Sequence, residues 1–273
     1  MQILISVDME GVAGVVAPDD IKPGHAEYER NRTYMTDEAS AAVRGFLSAE
    51  PAADIVVVDA HAAFRNIIPD RLVAGCTLLR GSPRRHAMMT GIDQGVQAVC
   101  FIGYHGKAGT ATSVLSHTIS GPTVAQVRCN GVELGELGLN VELAAHHGAA
   151  CILATGDNTL VQEAASAIPG IECVAVKKAF GNRAAQSLHP EEACRRIQAA
   201  AQKALQVNLQ AAAPRFDGPV DLEVDMLRPS MTERSLGIPG VELRAPLTLG
   251  FSATNYVAAY ELIEVFTVLA AAS

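Results

Sequence analysis

The sequence predicts an α/β protein with a mainly parallel sheet flanked by helices, followed by a smaller C-terminal α+β domain. In the N-terminal part, short β-branched runs alternate with helical stretches, and each run is almost continuously apolar. Such runs are typical of parallel strands that are covered on both faces. After about residue 178 the pattern changes to strands that alternate apolar and acidic residues. We therefore expect an α/β domain over residues 1–178 and an α+β domain over residues 179–273.

The N-terminal part predicts four parallel strands, at residues 3–7, 54–59, 97–103 and 151–155. A helix between the first two is predicted to begin with Thr36 as its N-cap. Asp37 and Glu38 follow this threonine directly, and acids are favourable in the first turn of a helix.

A β-hairpin is predicted where Asn130-Gly131 separates two short apolar runs. This pair of residues accommodates the positive φ angles of a type I′ turn. The stretch 136–147 follows the hairpin with helical spacing, so Glu136 is expected at the N-terminus of a helix.

The C-terminal part predicts two helices and two strands. The helices are expected at residues 190–207 and 255–269, and the strands at 220–226 and 241–249. The first strand carries apolar residues on one face and acids on the other, which is the pattern of a half-solvated antiparallel strand.

The composition argues against several classes of protein. The chain has 273 residues with 49% hydrophobic, enough for an ordinary core. Its formal charge of -8, with 21 Lys and Arg residues spread along the chain, predicts no nucleic-acid partner. No signal-peptide pattern, membrane-length apolar run or paired cysteine motif is present. We therefore expect a cytoplasmic protein with reduced cysteines and no membrane association.

Acids and imidazoles follow three of the predicted strands. Asp8 and Glu10 follow the first strand, His61 the second and His105 the third. Alternate residues of a strand point to one face, so the two acids repel each other unless a cation lies between them. The carboxyl ends of parallel strands are where open α/β folds bind ligands. Carboxylates and imidazoles without thiolates match the donors of hydrolytic zinc or manganese sites.

The residues resemble one family over nearly the whole chain, the zinc-dependent D-aminopeptidases of the DppA family. The motifs that carry the resemblance are Ser6-Val7-Asp8-Met9-Glu10-Gly11, Tyr28-Glu29-Arg30-Asn31-Arg32, Met35-Thr36-Asp37-Glu38-Ala39, Asp59-Ala60-His61, Gly103-Tyr104-His105, Leu115-Ser116-His117 and Gly135-Glu136-Leu137-Gly138-Leu139-Asn140. Each motif alone is common, whereas the set is highly specific.

The resemblance implies a binuclear zinc aminopeptidase that hydrolyses the N-terminal peptide bond of short peptides. The implied ligands of two zinc ions per subunit are Asp8, Glu10, His61, His105 and Glu136. Five ligands give each metal three bonds only if a carboxylate bridges, and Asp8 is the expected bridge. Manganese or cobalt would be accepted by the same donors. A ring-like homo-oligomer, a homodecamer with the site facing an internal chamber, is also implied.

The resemblance further implies that His117 is the catalytic residue, proposed in the family as a nucleophile. On physical grounds we favour proton transfer by His117, since metal sites of this kind activate water themselves. Without the resemblance, His117 is only a polar loop histidine and Glu136 only an acid that favours a helix N-terminus. Asp59 is expected to orient His61, because ligating imidazoles usually donate their second N–H to an oxygen. Surface positions are expected for His25, His86 and His189.

Two other functions remain open at the level of sequence. A two-metal phosphoesterase uses similar donors, but it needs cationic side chains to hold phosphate, and Lys107 is the only basic residue in the ligand loops. A non-catalytic metal-binding oligomer would keep the ligands and need no His117.

Overall fold

The computed structural model describes residues 1–206 and 210–273. In chain order its strands are β1 (Gln2–Val7), β2 (Asp54–Asp59), β3 (Thr77–Leu79), β4 (Ala98–Tyr104), β5 (Val124–Cys129), β6 (Val132–Leu134), β7 (Ala150–Asp157), β8 (Glu172–Gly181), β9 (Ala184–Ser187), β10 (Val220–Met226), β11 (Val241–Ala245) and β12 (Thr248–Ala253). The α-helices are α1 (Ala26–Ala49), α2 (Glu136–His146), α3 (Asn158–Ala167), α4 (Pro190–Ala204), α5 (Ser230–Glu233) and α6 (Tyr256–Ala271).

The first sheet is mainly parallel and has the strand order β3-β2-β1-β4-β7-β8-β9. Only β9 runs antiparallel to its neighbour in the described sheet. Successive residues of β1 enter two different cores, Ile3 and Ile5 on the side of α1 and α4 and Leu4 on the side of α2 and α6. This two-sided burial explains the nearly continuous apolar runs, and it confirms the predicted α/β fold class.

The second sheet is antiparallel, in the order β11-β12-β10-β5-β6. The predicted hairpin forms its β5–β6 edge, with φ angles of 49° at Asn130 and 74° at Gly131. Helix α2 follows at once, so Glu136 is its first residue, as predicted. The hairpin thereby sets the start of a helix whose first side chain faces the carboxyl edge of the first sheet.

The predicted division of the chain at residue 178 stays a prediction. Both sheets take strands from either side of that position. The hairpin β5–β6 pairs with β10 in the second sheet, while β9 extends the first sheet and α4 packs against α1.

The prediction of a helix start at Thr36 was wrong. Helix α1 begins at Ala26, because its buried face extends back through Tyr28 and Met35. Thr36 lies inside the helix, where its hydroxyl donates to the main-chain oxygen of Arg32 at 2.8 Å. An acid-rich turn in mid-helix therefore imitated a helix start.

Two other boundaries in the C-terminal part differ from expectation. The predicted strand 241–249 is two strands, β11 and β12, which reverse at Pro246, a residue without an amide hydrogen for the ladder. Helix α4 ends at Ala204, and the predicted end at Val207 lies outside the described residues.

None of the helices within residues 1–206 and 210–273 is both long and apolar enough to cross a membrane.

Candidate metal centre and active site

The five predicted metal ligands meet at the carboxyl edge of the first sheet. Adjacent strands β2, β1 and β4 end there, followed by His61, by Asp8 and Glu10, and by His105, respectively. The first residue of α2 adds Glu136. All five side chains are buried. Neighbouring parallel strands with polar ends account for this convergence of residues that are distant in sequence.

Asp8 lies at the centre of this cluster, and its two oxygens face different histidines. Oδ1 is 3.3 Å from His61 Nδ1 and Oδ2 is 3.4 Å from His105 Nε2. Glu10 Oε2 lies 2.9 Å from the same nitrogen of His61, and Glu136 Oε2 lies 3.3 Å from the same nitrogen of His105. The result is two three-residue donor groups that share Asp8, with the donor atoms of each group within 4.8 Å of one another.

Main-chain oxygens orient both imidazoles. His61 Nε2 lies 3.1 Å from the oxygen of Ile21, and His105 Nδ1 lies 3.0 Å from the oxygen of Gly106. A carbonyl oxygen only accepts, so these nitrogens carry the hydrogens. The opposite nitrogens, His61 Nδ1 and His105 Nε2, therefore face the carboxylates, which is the usual arrangement of a ligating histidine.

The acids and imidazoles change one another's protonation. Burial lowers the pKa of His61 and His105, but the facing carboxylates outweigh it and hold both pKa values well above the ordinary imidazole value. Burial and the charge of Glu10 raise the pKa of Asp8. Burial also acts to raise the pKa of Glu10, yet the charge of His61 brings it well below its usual value. Positive charge, supplied by protons or by a metal ion, therefore stabilises the buried carboxylates of this cluster.

The donor set fits zinc. Asp8 Oδ2, Glu10 Oε2 and His105 Nε2 are buried and make no hydrogen bond within the described part of the chain. Buried polar atoms without partners are costly unless they coordinate a cation. Carboxylate oxygens and imidazole nitrogens, three per group, are the donors that catalytic zinc takes while keeping a position open.

His117 lies at the margin of the cluster, where it forms a third group of possible metal donors with Glu10 and His105 that does not share Asp8. Its ring stacks on that of His105, with centroids 4.3 Å apart and 14° between the planes. Nδ1 is 3.0 Å from the oxygen of Leu115, and Nε2 is 3.3 Å from Glu136 Oε1. Its side chain is 21% exposed, whereas the other five are nearly inaccessible. His117 is thus the imidazole of the cluster that a substrate can reach most readily.

Two predictions about nearby polar residues need correction. Asp59 does not contact the imidazole of His61. It accepts hydrogen bonds from the amides of Asn66 and Ile67, and Asn66 Nδ2 donates to the main-chain oxygen of His61. Asp59 therefore shapes the loop that carries His61, while Ile21 orients the ring.

The predicted surface position of His86 was also wrong. Its side chain is buried, and its two ring nitrogens lie 3.5 Å from Glu261 and 3.8 Å from Asp93. The acids come from α6 and from a loop, and their packing over His86 was not visible in the local sequence. His25 and His189 are at least partly exposed, as expected.

Lys177, a buried residue of β8, was not predicted from the sequence. Its ammonium donates to the main-chain oxygens of Glu10, Val12 and Val15. The only signal was the pair Lys177-Lys178 within an otherwise apolar stretch at residues 173–179, and this pair does not indicate which lysine is buried or what its partners are.

The fold and this buried cluster define an α/β protein with a carboxylate–imidazole centre at the carboxyl edge of a parallel sheet. The family model described as D-aminopeptidase matches residues 1–265. The chain belongs to this D-aminopeptidase family and is a peptidase. The predicted family and hydrolase class are confirmed.

Two relatives extend this comparison. The D-aminopeptidase of Bacillus subtilis (strain 168) is 31% identical over 276 residues, which cover 99% of this chain and 98% of the relative. A solved structure, the Zn-dependent D-aminopeptidase DppA from Bacillus subtilis, described as a self-compartmentalizing protease, matches with a TM-score of 0.94. That structure is 28% identical, and the match covers 100% of this chain and 99% of the other.

Proposed function

We propose that the protein is a zinc-dependent aminopeptidase that releases the N-terminal residue of short peptides. Asp8, Glu10 and His61 would hold one zinc ion, and Asp8, His105 and Glu136 a second. The observation that carries the proposal is the position of Asp8, whose oxygens lie 3.3 and 3.4 Å from two different imidazoles. Zinc is favoured because a relative of similar fold is described as Zn-dependent. The same donors would also bind manganese or cobalt.

The residues of this centre would have different roles in peptide hydrolysis. Zinc held by these residues would supply Lewis acidity, to polarise a peptide carbonyl and lower the pKa of water. Glu136 Oε1 accepts a hydrogen bond from the amide of Ile119 at 2.8 Å, which ties the segment after His117 to the metal centre. The buried cluster excludes bulk water and strengthens the electrostatic interactions of the site.

His117 would take a proton at Nε2 from the attacking water and pass it to the departing amine. The contact of Nδ1 with the oxygen of Leu115 fixes the hydrogen on that nitrogen, so Nε2 faces the reaction space with its lone pair. The stacked ring of His105 limits rotation of the imidazole. Direct attack on the carbonyl, the role proposed in the family, would use the same nitrogen.

Metal counting by mass spectrometry tests the assignment of ligands. We expect two zinc ions per native chain, the loss of one in Glu10→Gln and in Glu136→Gln, and the loss of both in Asp8→Asn. Asp54→Asn is the control, because this exposed acid lies at the start of β2, away from the cluster. If Asp8→Asn keeps as much zinc as Glu10→Gln, Asp8 is not shared.

Activity measurements separate this function from its alternatives. The zinc-loaded protein is incubated with D- and L-aminoacyl peptides and with an aryl phosphate, and release of amino acid is the expected result. Phosphate release would instead favour the two-metal phosphoesterase, and no turnover the non-catalytic oligomer. The phosphoesterase is disfavoured because Lys107 Nζ lies 2.9 Å from Glu133 and is already paired. The same panel decides between D- and L-residues.

We further propose that the protein assembles into a ring-like homo-oligomer, with a homodecamer as the expected size. The proposal rests on the family and on a relative described as self-compartmentalizing. Light scattering coupled to size-exclusion chromatography measures the subunit number, and a monomer would contradict the proposal. The cytoplasmic location stays a prediction.

A further inference from the structure

His105 and His117 are oriented in the same way. Each Nδ1 lies 3.0 Å from a main-chain oxygen, that of Gly106 for His105 and that of Leu115 for His117. The rings are stacked, and each Nε2 lies 3.3 Å from an oxygen of Glu136. Both imidazoles therefore depend on the path of one loop, residues 106–117.

One buried carboxylate holds this loop from behind. Asp157, the last residue of β7, accepts two hydrogen bonds at Oδ2, from Ser113 Oγ and from the amide of Val114, each 2.7 Å long. Ser113 Oγ in turn accepts a hydrogen bond of 2.8 Å from the amide of Gly106. One arm of these contacts runs from Asp157 through Ser113 to Gly106, the residue after His105. The other arm runs directly from Asp157 to Val114, the residue before Leu115.

The second oxygen of Asp157 anchors the carboxylate to the scaffold. Oδ1 accepts hydrogen bonds from the amides of Thr159 and Leu160, at 3.0 and 2.9 Å, and so caps α3. An ionised carboxylate accepts at both oxygens, as this arrangement of donors requires. The end of β7 and the start of α3 therefore fix the position from which both loop arms are held.

We propose that Asp157 is a positioning residue that aligns both His105 and His117, a role that rests on the proposed function of these histidines. Asp157 acts through Gly106 on the metal ligand and through Val114 and Leu115 on the proton carrier. Ligand orientation of this kind depends on hydrogen bonds behind the ligands, and their loss typically lowers metal affinity or activity by about 10- to 100-fold.

The substitution Asp157→Asn separates positioning from helix capping. The amide oxygen can still cap α3, whereas the amide nitrogen turns toward Val114 N–H and cannot accept from it. We expect kcat to fall about 10- to 100-fold with little change in KM, and zinc to pass faster to a chromogenic chelator.

Thr159→Val is the matched control. Its hydroxyl donates to the oxygen of Thr112 at 2.6 Å, so its loss removes another bond between α3 and the same loop without touching either arm. We expect kcat and zinc release close to the native values. If Asp157→Asn has the same kcat and the same rate of zinc release as Thr159→Val, whether both are native or both are impaired, the positioning role is overturned.

Ser113→Ala tests the arm to Gly106 alone and guards against poor folding of Asp157→Asn. We expect faster zinc release with a smaller loss of kcat, because the arm to Val114 remains. Native zinc release from Ser113→Ala would contradict the proposed chain of contacts. Should the native protein fail to cleave peptides, the proposed function fails, while the zinc-release comparison still decides the role of Asp157 toward His105.

Discussion

The ammonium of Lys177 lies 2.5 Å from the main-chain oxygen of Glu10, beneath the segment that presents this acid to the proposed metal centre. Two further oxygens, of Val12 and Val15, accept from it at 2.9 and 2.7 Å. Burial lowers the pKa of Lys177 to about 8, although several carboxylates oppose the shift. The lysine thus holds together a loop whose carbonyl groups point into the protein.

Lys177→Met should disrupt this loop. Three buried carbonyls lose their donor, so we expect the free energy of unfolding to fall by about 2 to 4 kcal/mol. Zinc held by Asp8, Glu10 and His61 should be lost before zinc held by His105 and Glu136. Denaturant unfolding and metal counting measure the two effects. Lys178→Met, at the exposed next position, should leave both unchanged. Native zinc content in Lys177→Met would show that the loop does not need the lysine.

Glu38 should make stability depend on pH. This acid of α1 is buried, and Oε1 accepts from the amide of Ala13 at 2.9 Å. Burial raises the pKa of Glu38 to about 7, against the opposing effects of that amide and of Lys177. The folded protein therefore keeps a proton that the unfolded chain releases above pH 4.5. Stability contributed by this proton is complete below about pH 4.5 and is lost as pH rises through about 7.

The variant Glu38→Gln should lack this dependence. Between pH 4.5 and 7, its free energy of unfolding should rise relative to that of the native protein by about 3 kcal/mol. The difference between the two curves is the quantity to measure, because the proposed metal ligands contribute equally to both. Glu29→Gln, an exposed acid on the same helix, should run parallel to the native curve. If the difference in free energy of unfolding between Glu38→Gln and the native protein stays constant from pH 4.5 to 7, Glu38 is ionised in the folded protein throughout this range.

The sequence was sufficient to predict the parallel strands β1, β2, β4 and β7, together with four of the five residues at the sheet edge. Strands β3, β8 and β9 of the same sheet were not predicted. Asp8, Glu10, His61 and His105 each follow a buried run, and parallel strands bring such ends together. Glu136 and His117 follow no central strand, so only family resemblance singled them out. Their geometry depends on the hairpin β5–β6 and on loop contacts that local patterns do not encode.

Residues that support the centre were harder to predict. Lys177 and Asp157 act through contacts with segments far away in the sequence, and neither position carries a local signal of its partner. The incorrect helix start at Thr36 has a related cause. Local capping chemistry favoured a start there, but burial of Tyr28 and Met35 against the core extended the helix.

Gly11→Ala should separate β1 from β4. A Cβ at this position would overlap the main-chain oxygen of Tyr104, just before His105. The Gly11 amide also donates to the oxygen of Gly103 at 2.7 Å, so the backbones cannot separate without losing that bond. Glu10 and His105 would shift relative to each other, and a displacement of about 1 Å can cost about 100-fold in rate.

The expected result for Gly11→Ala is reduced zinc content together with kcat/KM lowered by about 100-fold. Gly237→Ala is the matched control, since a Cβ there meets no atom within 4 Å. Near-native activity of Gly11→Ala would show that the loop relaxes without moving its ligands.

His117→Ala distinguishes catalysis from metal binding. His117 belongs to neither donor group that shares Asp8, so the variant should keep its zinc. Loss of a proton carrier should lower kcat by about 100- to 10,000-fold. His25→Ala, a histidine outside the cluster, should retain native kcat. Loss of zinc from His117→Ala would assign His117 to the metal instead, as a member of the group Glu10, His105 and His117, whose donor atoms lie within 4.8 Å of one another.

Rapid quench of the native enzyme then separates the two catalytic roles of His117. Proton transfer predicts no covalent acyl adduct during turnover, and it predicts partial recovery of His117→Ala by added imidazole, which can carry the proton from the same space. Nucleophilic attack predicts an acylated His117 that mass spectrometry would detect in native enzyme. We expect no adduct, because a centre of this kind would activate water itself, so His117 Nε2 would only take up the proton of that water and pass it to the departing amine.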